Sequence, residues 1–142
     1  MKLKVKIKKL QAAAITPSYG HPGDAGLDLH SLEDYNLRPG ERKIFALGFA
    51  LEFPEGYVAL VKDKGSLPKN GGLKTMGGVF DAGYRGEYNT QLINLGQTEY
   101  QIKTGDKIAQ LLIVPVASAE LEEEAELSET SRGEGRFGST GR

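Results

Sequence analysis

The stretch Arg38–Lys62, RPGERKIFALGFALEFPEGYVALVK, decides the fold class. Two proline-glycine turns, Arg38-Pro39-Gly40-Glu41 and Pro54-Glu55-Gly56, set off an apolar run at Arg42–Ala50 from another at Tyr57–Lys62. Proline presets φ and glycine supplies positive φ, so each turn marks a reversal of the chain. Short apolar runs between such turns read as strands. The same rhythm continues outward. Candidate strands lie at Gly26–Ser31, Gly78–Phe80, Gln91–Asn94 and Ile108–Val116. Further turns lie at Asn70-Gly71-Gly72, Asp81-Ala82-Gly83 and Thr104-Gly105-Asp106-Lys107. At the N-terminus Leu3, Val5 and Ile7 alternate with Lys2, Lys4, Lys6 and Lys8. Period two predicts a strand with one buried face and one lysine face, which suits a sheet edge. No long amphipathic helix pattern and no internal repeat interrupts the series. Regularly spaced short strands predict an all-β sandwich or barrel.

Composition narrows the function classes. The 142 residues suffice for one domain with a real core. A formal net charge of -1 argues against an electrostatic nucleic-acid binder. The absence of cysteine excludes disulfides, thiolate catalysis and cysteine–zinc sites. Only His21 and His30 are available to a histidine metal site. No stretch approaches a membrane span. The opening MKLKVKIKKLQ has no apolar core of the kind a secretory signal needs. These features predict a cytoplasmic protein with neither nucleic acid nor membrane as partner. Composition shifts at Ala119–Thr130, AELEEEAELSET, a solvated block of like charge. The chain therefore divides into a body at 1–118, an acidic linker at 119–130 and a flexible glycine-rich arm at 131–142.

Five stretches carry candidate chemistry. In Ala25-Gly26-Leu27-Asp28-Leu29, Asp28 faces away from the leucines that flank it. It is either bonded to a nearby turn or functional. Lys62-Asp63-Lys64-Gly65-Ser66-Leu67-Pro68-Lys69-Asn70-Gly71-Gly72 combines lysines, a hydroxyl and exposed amides, the parts of a phosphate cradle or of a plain surface turn. Gly77-Gly78-Val79-Phe80-Asp81-Ala82-Gly83-Tyr84-Arg85-Gly86 leads from paired glycines and two apolar residues to a carboxylate at a glycine turn, with Tyr84 three positions on. Asp81 can be a general base or a turn former. In Gly105-Asp106-Lys107-Ile108-Ala109-Gln110, Gln110 breaks an apolar run and must find polar partners. The arm, RGEGRFGSTGR, offers Arg132, Arg136 and Arg142, the hydroxyls of Ser139 and Thr140, exposed amides, and Phe137 as its one stacking ring. A nucleotide, with a flat base and a polyanionic phosphate chain, matches both halves of that chemistry.

Taken in order, Ala25–Leu29, Lys64–Leu67, Gly78–Gly86, Gly105–Gln110 and Arg132–Gly141 resemble the five motifs of the trimeric deoxyuridine triphosphatases, over nearly the whole chain. The resemblance implies a jelly-roll-like β barrel, a homotrimer with shared active sites, and Mg²⁺-dependent hydrolysis of dUTP to dUMP and pyrophosphate. Such a reaction limits uracil in DNA and supplies dUMP for dTTP synthesis. By the same resemblance, Asp81 activates the water that attacks the α-phosphate, and Asp28 holds Mg²⁺ through water. Tyr84 packs under the deoxyribose, and backbone groups from Thr75 through Gly78 to Val79 read the uracil edge. Lys64, Gly65, Ser66 and Gln110 meet phosphates. The arm of a neighbouring chain closes the site, with Phe137 on uracil and Arg132, Gly138, Ser139 and Thr140 at the γ-phosphate end.

This sequence departs from the family pattern in places. Lys64 stands where arginine is usual and lacks its bidentate geometry. Gly65 stands where serine is usual, so either Ser66 or a backbone amide meets the phosphate there. Phe80 replaces isoleucine. Arg136 replaces a glycine and adds either a phosphate contact or solvation. A deoxycytidine triphosphate deaminase shares the fold but needs a glutamate where this chain has Gln91. A nucleotide sensor would not need Asp81, and a capsid-like jelly roll would need none of the five motifs.

Overall fold

A computed structural model describes residues 2–141. Among them the chain forms twelve strands and one short helix. The strands are β1 (Lys6–Lys9), β2 (Ser18–Tyr19), β3 (Leu27–His30), β4 (Tyr35–Leu37), β5 (Arg42–Ala46), β6 (Phe49–Glu52) and β7 (Tyr57–Lys62). After the helix α1 (Ser66–Gly71) come β8 (Leu73–Met76), β9 (Val79–Asp81), β10 (Asn89–Asn94), β11 (Tyr100–Ile102) and β12 (Lys107–Pro115). The all-β expectation holds. The described strands form four antiparallel sheets rather than one closed barrel: β2-β3-β12-β7-β9, β5-β10-β8, β1-β6 and β11-β4.

Alternation along the strands builds two cores. One gathers Leu29, Phe49, Val61, Tyr88 and Leu111 around the five-stranded sheet. The other gathers Leu37, Phe45, Leu73, Leu92 and Ile102 under the three-stranded sheet. β10 shows the logic most clearly, because Thr90, Leu92 and Asn94 are buried while Asn89, Gln91 and Ile93 are not.

Three expectations change in detail. The run Arg42–Ala50 breaks into β5 and β6 at Gly48, whose φ of +75° no β-branched residue would accept and where a Cβ would lie 2.9 Å from the Ala14 Cβ and 3.0 Å from Leu32 Cδ1. The N-terminal alternation becomes a strand only from Lys6. β1 pairs with β6 alone, so Ile7 stays exposed and Val5 is the residue that leans on the core. The segment after Lys64 was expected as a turn or phosphate cradle and contains α1. This helix buries one residue, Leu67, and takes Pro68 in its first turn, where the missing N–H costs nothing. It stops where Gly72 turns left-handed and donates its N–H to the Pro68 carbonyl at 3.0 Å.

Candidate active site

The Asp81 hairpin is held from behind. After β8 the chain passes through Gly77 and Gly78, at φ +64° and +99°, and enters β9. A Cβ on Gly78 would lie 2.6 Å from the Val61 carbonyl oxygen, so the hairpin backbone lies directly on β7. The Val61 N–H donates to the Gly78 carbonyl at 2.8 Å. Leu60 then pairs with Val79, and Val58 with Asp81. Asp81 ends the strand with its side chain exposed. The Tyr84 N–H closes a turn onto the Asp81 carbonyl at 3.1 Å, and the Tyr84 hydroxyl donates to the Glu87 carbonyl at 2.9 Å. Any Cβ on Gly86 would overlap that hydroxyl, so Gly86 lets the ring fold back. Behind it Phe80 stacks on the buried Tyr88 at 4.3 Å between centroids. Burial pushes the Tyr88 hydroxyl up to about 12.

A second cluster forms on the β3-β12-β7 part of the same sheet. Asp28 pairs across the ladder with Gln110, and Gln110 with Lys62. Asp28 is 2% exposed, yet neither oxygen is idle. The Lys64 Nζ lies 2.6 Å from Oδ1 and the Lys107 Nζ lies 3.1 Å from Oδ2. Burial alone would raise the Asp28 carboxyl, but the two ammonium groups outweigh it and hold it below its ordinary value. The register shift between Lys107 and Ala109 marks a bulge, which re-aims Lys107. Gln110 Nε2 donates to the Asp63 carbonyl at 2.8 Å, the partner its place in an apolar run demanded. Gly26 makes room for it, since any Cβ there would overlap the Gln110 amide.

The two clusters do not meet in one chain. Asp81 stands opposite Val58 and Gln110 opposite Lys62, four residues further along β7. At the usual rise per residue that offset alone is about 13 Å. Thr75 is buried in β8, and Val79 is exposed beside Asp81. Gly65 precedes α1 and Ser66 opens it, both at the surface. The arm stays clear of all of them. Val116 makes a last backbone bond to Gly56, and residues 117–131 are exposed and without strand or helix. Beyond them the hydrogen bonds are local: Arg132 Nε to the Gly135 carbonyl, Ser139 N–H to the Arg136 carbonyl, and Gly141 N–H to the Gly138 carbonyl. Phe137 is 91% exposed, with the Arg136 guanidinium 4.5 Å from its ring centre. An open cavity of about 470 Å³ lies elsewhere, bordered by Tyr35, Arg42, Lys43, Ile44 and Gln91.

The family model described as dUTPase matches residues 12–141. The chain belongs to the dUTPase family. The deoxyuridine 5'-triphosphate nucleotidohydrolase of Nautilia profundicola is 43% identical over 142 residues, covering 99% of this chain and all of the relative. That of Clostridium kluyveri is 42% identical over 141 residues, covering 98% of this chain and 99% of the relative. Among solved structures, the dUTPase of Staphylococcus bacteriophage 80alpha with dUPNHPP superposes at a TM-score of 0.92. It is 30% identical and covers 98% of this chain and 99% of its own. A variant dUTPase of phage phi11 of S. aureus, described with a structural Mg(II) ion, gives 0.81 at 29% identity, over 89% of this chain and 99% of its own.

The donor set decides what kind of metal binding this dUTPase can support. Among the described residues no three His, Asp or Glu side chains converge. Asp28 is a single carboxylate already shared by two lysines. A lone carboxylate of this kind fits an ion that keeps its own water shell and takes its direct ligands from a triphosphate. Two participants in the clusters lacked a sequence signal: Lys107, which the turn motif contained without a role, and Asp63, which reads as one charge between Lys62 and Lys64.

Proposed function

We propose that Asp81, the Thr75–Val79 segment, Tyr84, the Asp28 cluster and the arm together carry the hydrolysis of dUTP to dUMP and pyrophosphate that defines this family. Asp81 is the general base. It orients a water and takes its proton as the oxygen attacks the α-phosphate, and the pyrophosphate leaves. Backbone amides and carbonyls of Thr75–Val79 pair with the uracil edge, so a cytosine leaves buried polar groups unmatched. The Tyr84 ring, locked over Gly86, fills the space a 2′-hydroxyl would need. Lys64, Gly65, Ser66 and Gln110 face the phosphates, with Lys64 released from Asp28 as the anion arrives. Asp28 would hold the water shell of Mg²⁺, which would supply charge neutralisation on the triphosphate.

The observation that carries this reading is the hairpin: an exposed carboxylate one turn from a fixed tyrosine, on a backbone pressed against β7. The offset of about 13 Å along β7 between the partners of Asp81 and Gln110 supports a site shared between chains, each giving part of the groups that one nucleotide meets. A homotrimer supplies the rest. The outer face of β5-β10-β8 suits such packing. Ile44, 58% exposed, and Met76 stand opposite Gln91 on either side, with Ile93 next along β10. The arm then works as a lid from a neighbouring chain, with Phe137 stacked on the base and Arg132, Gly138, Ser139 and Thr140 at the terminal phosphate. The linker at 119–130 gives it reach. Among the described residues no helix is long and apolar enough to cross a membrane.

The test is pyrophosphate release with Mg²⁺ from dUTP, dCTP, UTP and dTTP, for the native protein and Asp81→Asn. Selective release from dUTP that disappears in the variant is expected. Equal release from all four, or an active Asp81→Asn protein, overturns the assignment of base and selectivity.

A further inference from the structure

In the segment Thr75–Val79, Thr75 and Met76 pair with Leu92 and Gln91 of β10 and Val79 pairs with Leu60 of β7, which leaves the two left-handed glycines between the ladders. Two further anchors fix its ends. On the far side, the Val61 N–H grips the Gly78 carbonyl at 2.8 Å. On the near side stands Asp63, just beyond the end of β7. Its Oδ1 accepts the Thr75 N–H at 2.7 Å and the Thr75 hydroxyl at 2.9 Å. Its Oδ2 faces the Lys74 Nζ at 3.0 Å. Thr75 is 7% exposed, so these bonds are made largely out of water, where they are strongest. Asp63 is itself fixed, because its carbonyl receives Gln110 Nε2 at 2.8 Å. Between the two anchors Met76 is the last residue paired with β10, and Gly77 spans the gap.

We propose that Asp63 is a positioning residue that sets base selectivity, by holding Thr75 so that the Met76–Gly78 backbone keeps one register against the base edge. This rests on the reading of that segment as the base-binding one. A carboxylate suits the task because one oxygen accepts two donors from the same residue, which fixes both the position and the rotation of Thr75. Burial would raise the Asp63 carboxyl, and the Thr75 amide, the Lys74 ammonium and the Thr75 hydroxyl outweigh it, so the group stays an acceptor at neutral pH. Without the anchor the hairpin amides and carbonyls can shift, and a base with the opposite donor and acceptor order finds partners.

The experiment measures kcat and KM for dUTP and dCTP with Mg²⁺, for the full chain and four variants: Asp63→Ala, Asp63→Asn, Lys74→Met and Thr75→Val. Asparagine keeps the oxygen that accepts from Thr75 and removes the charge. Lys74→Met removes the ion pair and the Lys74 Nζ hydrogen bond to the Thr75 carbonyl, at 3.2 Å, and leaves both Asp63–Thr75 bonds. Thr75→Val removes one of the two donors. Asp63→Ala is expected to lower the dUTP-to-dCTP ratio of kcat/KM at least about 10-fold, chiefly through KM for dUTP. Thr75→Val should lower it about 3-fold, while Asp63→Asn and Lys74→Met stay within about 2-fold of the native ratio. An unchanged ratio in Asp63→Ala, whatever its stability, overturns the proposal. So does an Asp63→Asn ratio as low as that of Asp63→Ala, because charge and not geometry would then matter. If Asp63→Ala does not fold, Thr75→Val decides alone: a native ratio refutes the anchor. A native protein that does not prefer dUTP refutes the base-reading assignment before any variant is compared.

Discussion

Replacing Gly78 by alanine tests whether the hairpin owes its shape to contact with β7. Two costs arise at once. The backbone stands at φ +99°, outside the regions an L-residue accepts, which carries a strain of about 1–3 kcal/mol. The new Cβ would also lie 2.6 Å from the Val61 carbonyl oxygen, and reaching ordinary contact at 3.4 Å requires the hairpin to retreat by about 0.8 Å. Val61 cannot yield instead, because its strand is paired on both sides, with β12 and β9. A displacement of that size at the reacting groups lowers kcat/KM by roughly 10²-fold. Gly77→Ala is the control. Gly77 also has positive φ, at +64°, but a Cβ there meets nothing within 4 Å. It should lose only the conformational term, about 1 kcal/mol, and less than about 10-fold in kcat/KM. Thermal unfolding and dUTP hydrolysis of both variants make the comparison. If the two alanine variants match in Tm and in kcat/KM, the contact with Val61 does not shape the site and the reasoning fails.

Three further outcomes are expected. Asp28→Asn leaves Lys64 and Lys107 facing a neutral group and should cost about 2 kcal/mol at neutral pH. Because the native Asp28 carboxyl is depressed, that contribution is present above its ordinary value of 3.8 and is lost as pH falls through the lower native value. The Tm gap between native protein and variant should therefore close in acid, and a gap that persists there refutes the ion-pair account. Tyr88→Phe removes a buried hydroxyl that has no hydrogen-bond partner, so it should raise stability by about 1 kcal/mol, or roughly 3 °C in Tm. A lower Tm would mean the hydroxyl is satisfied. Deleting residues 131–142 should leave the Tm of the body within about 1 °C, since the arm's hydrogen bonds go to itself and to Thr130 of the adjoining linker, yet reduce dUTP hydrolysis roughly 10²-fold. A large fall in Tm would show that the arm holds the body together.

The turns at Arg38–Glu41 and Pro54–Gly56, the β7 and β12 runs, and the all-β class are local statements, legible because glycine, proline and apolar alternation act over a few residues. The five motifs were legible for a similar reason: each packs its chemistry into a short span of contiguous residues. α1 escaped because six residues with one buried side chain have no period to read. β2, β4 and β11 are two or three residues long and are strands only because a partner lies beside them. Lys64 meets Asp28 across 36 residues and Gln110 reaches Asp63 across 47. Nothing in the chain order marks those pairs. The sequence by itself determined which residue types stand ready for a nucleotide: an aspartate in a glycine turn, a tyrosine, lysines, and an arm with one ring. Only the tertiary structure decided that Asp28 is shared by two lysines, that Asp63 anchors Thr75, and that Asp81 stands apart from Gln110 along β7. Those facts depend on strand order and register, which long-range packing sets and no local pattern encodes.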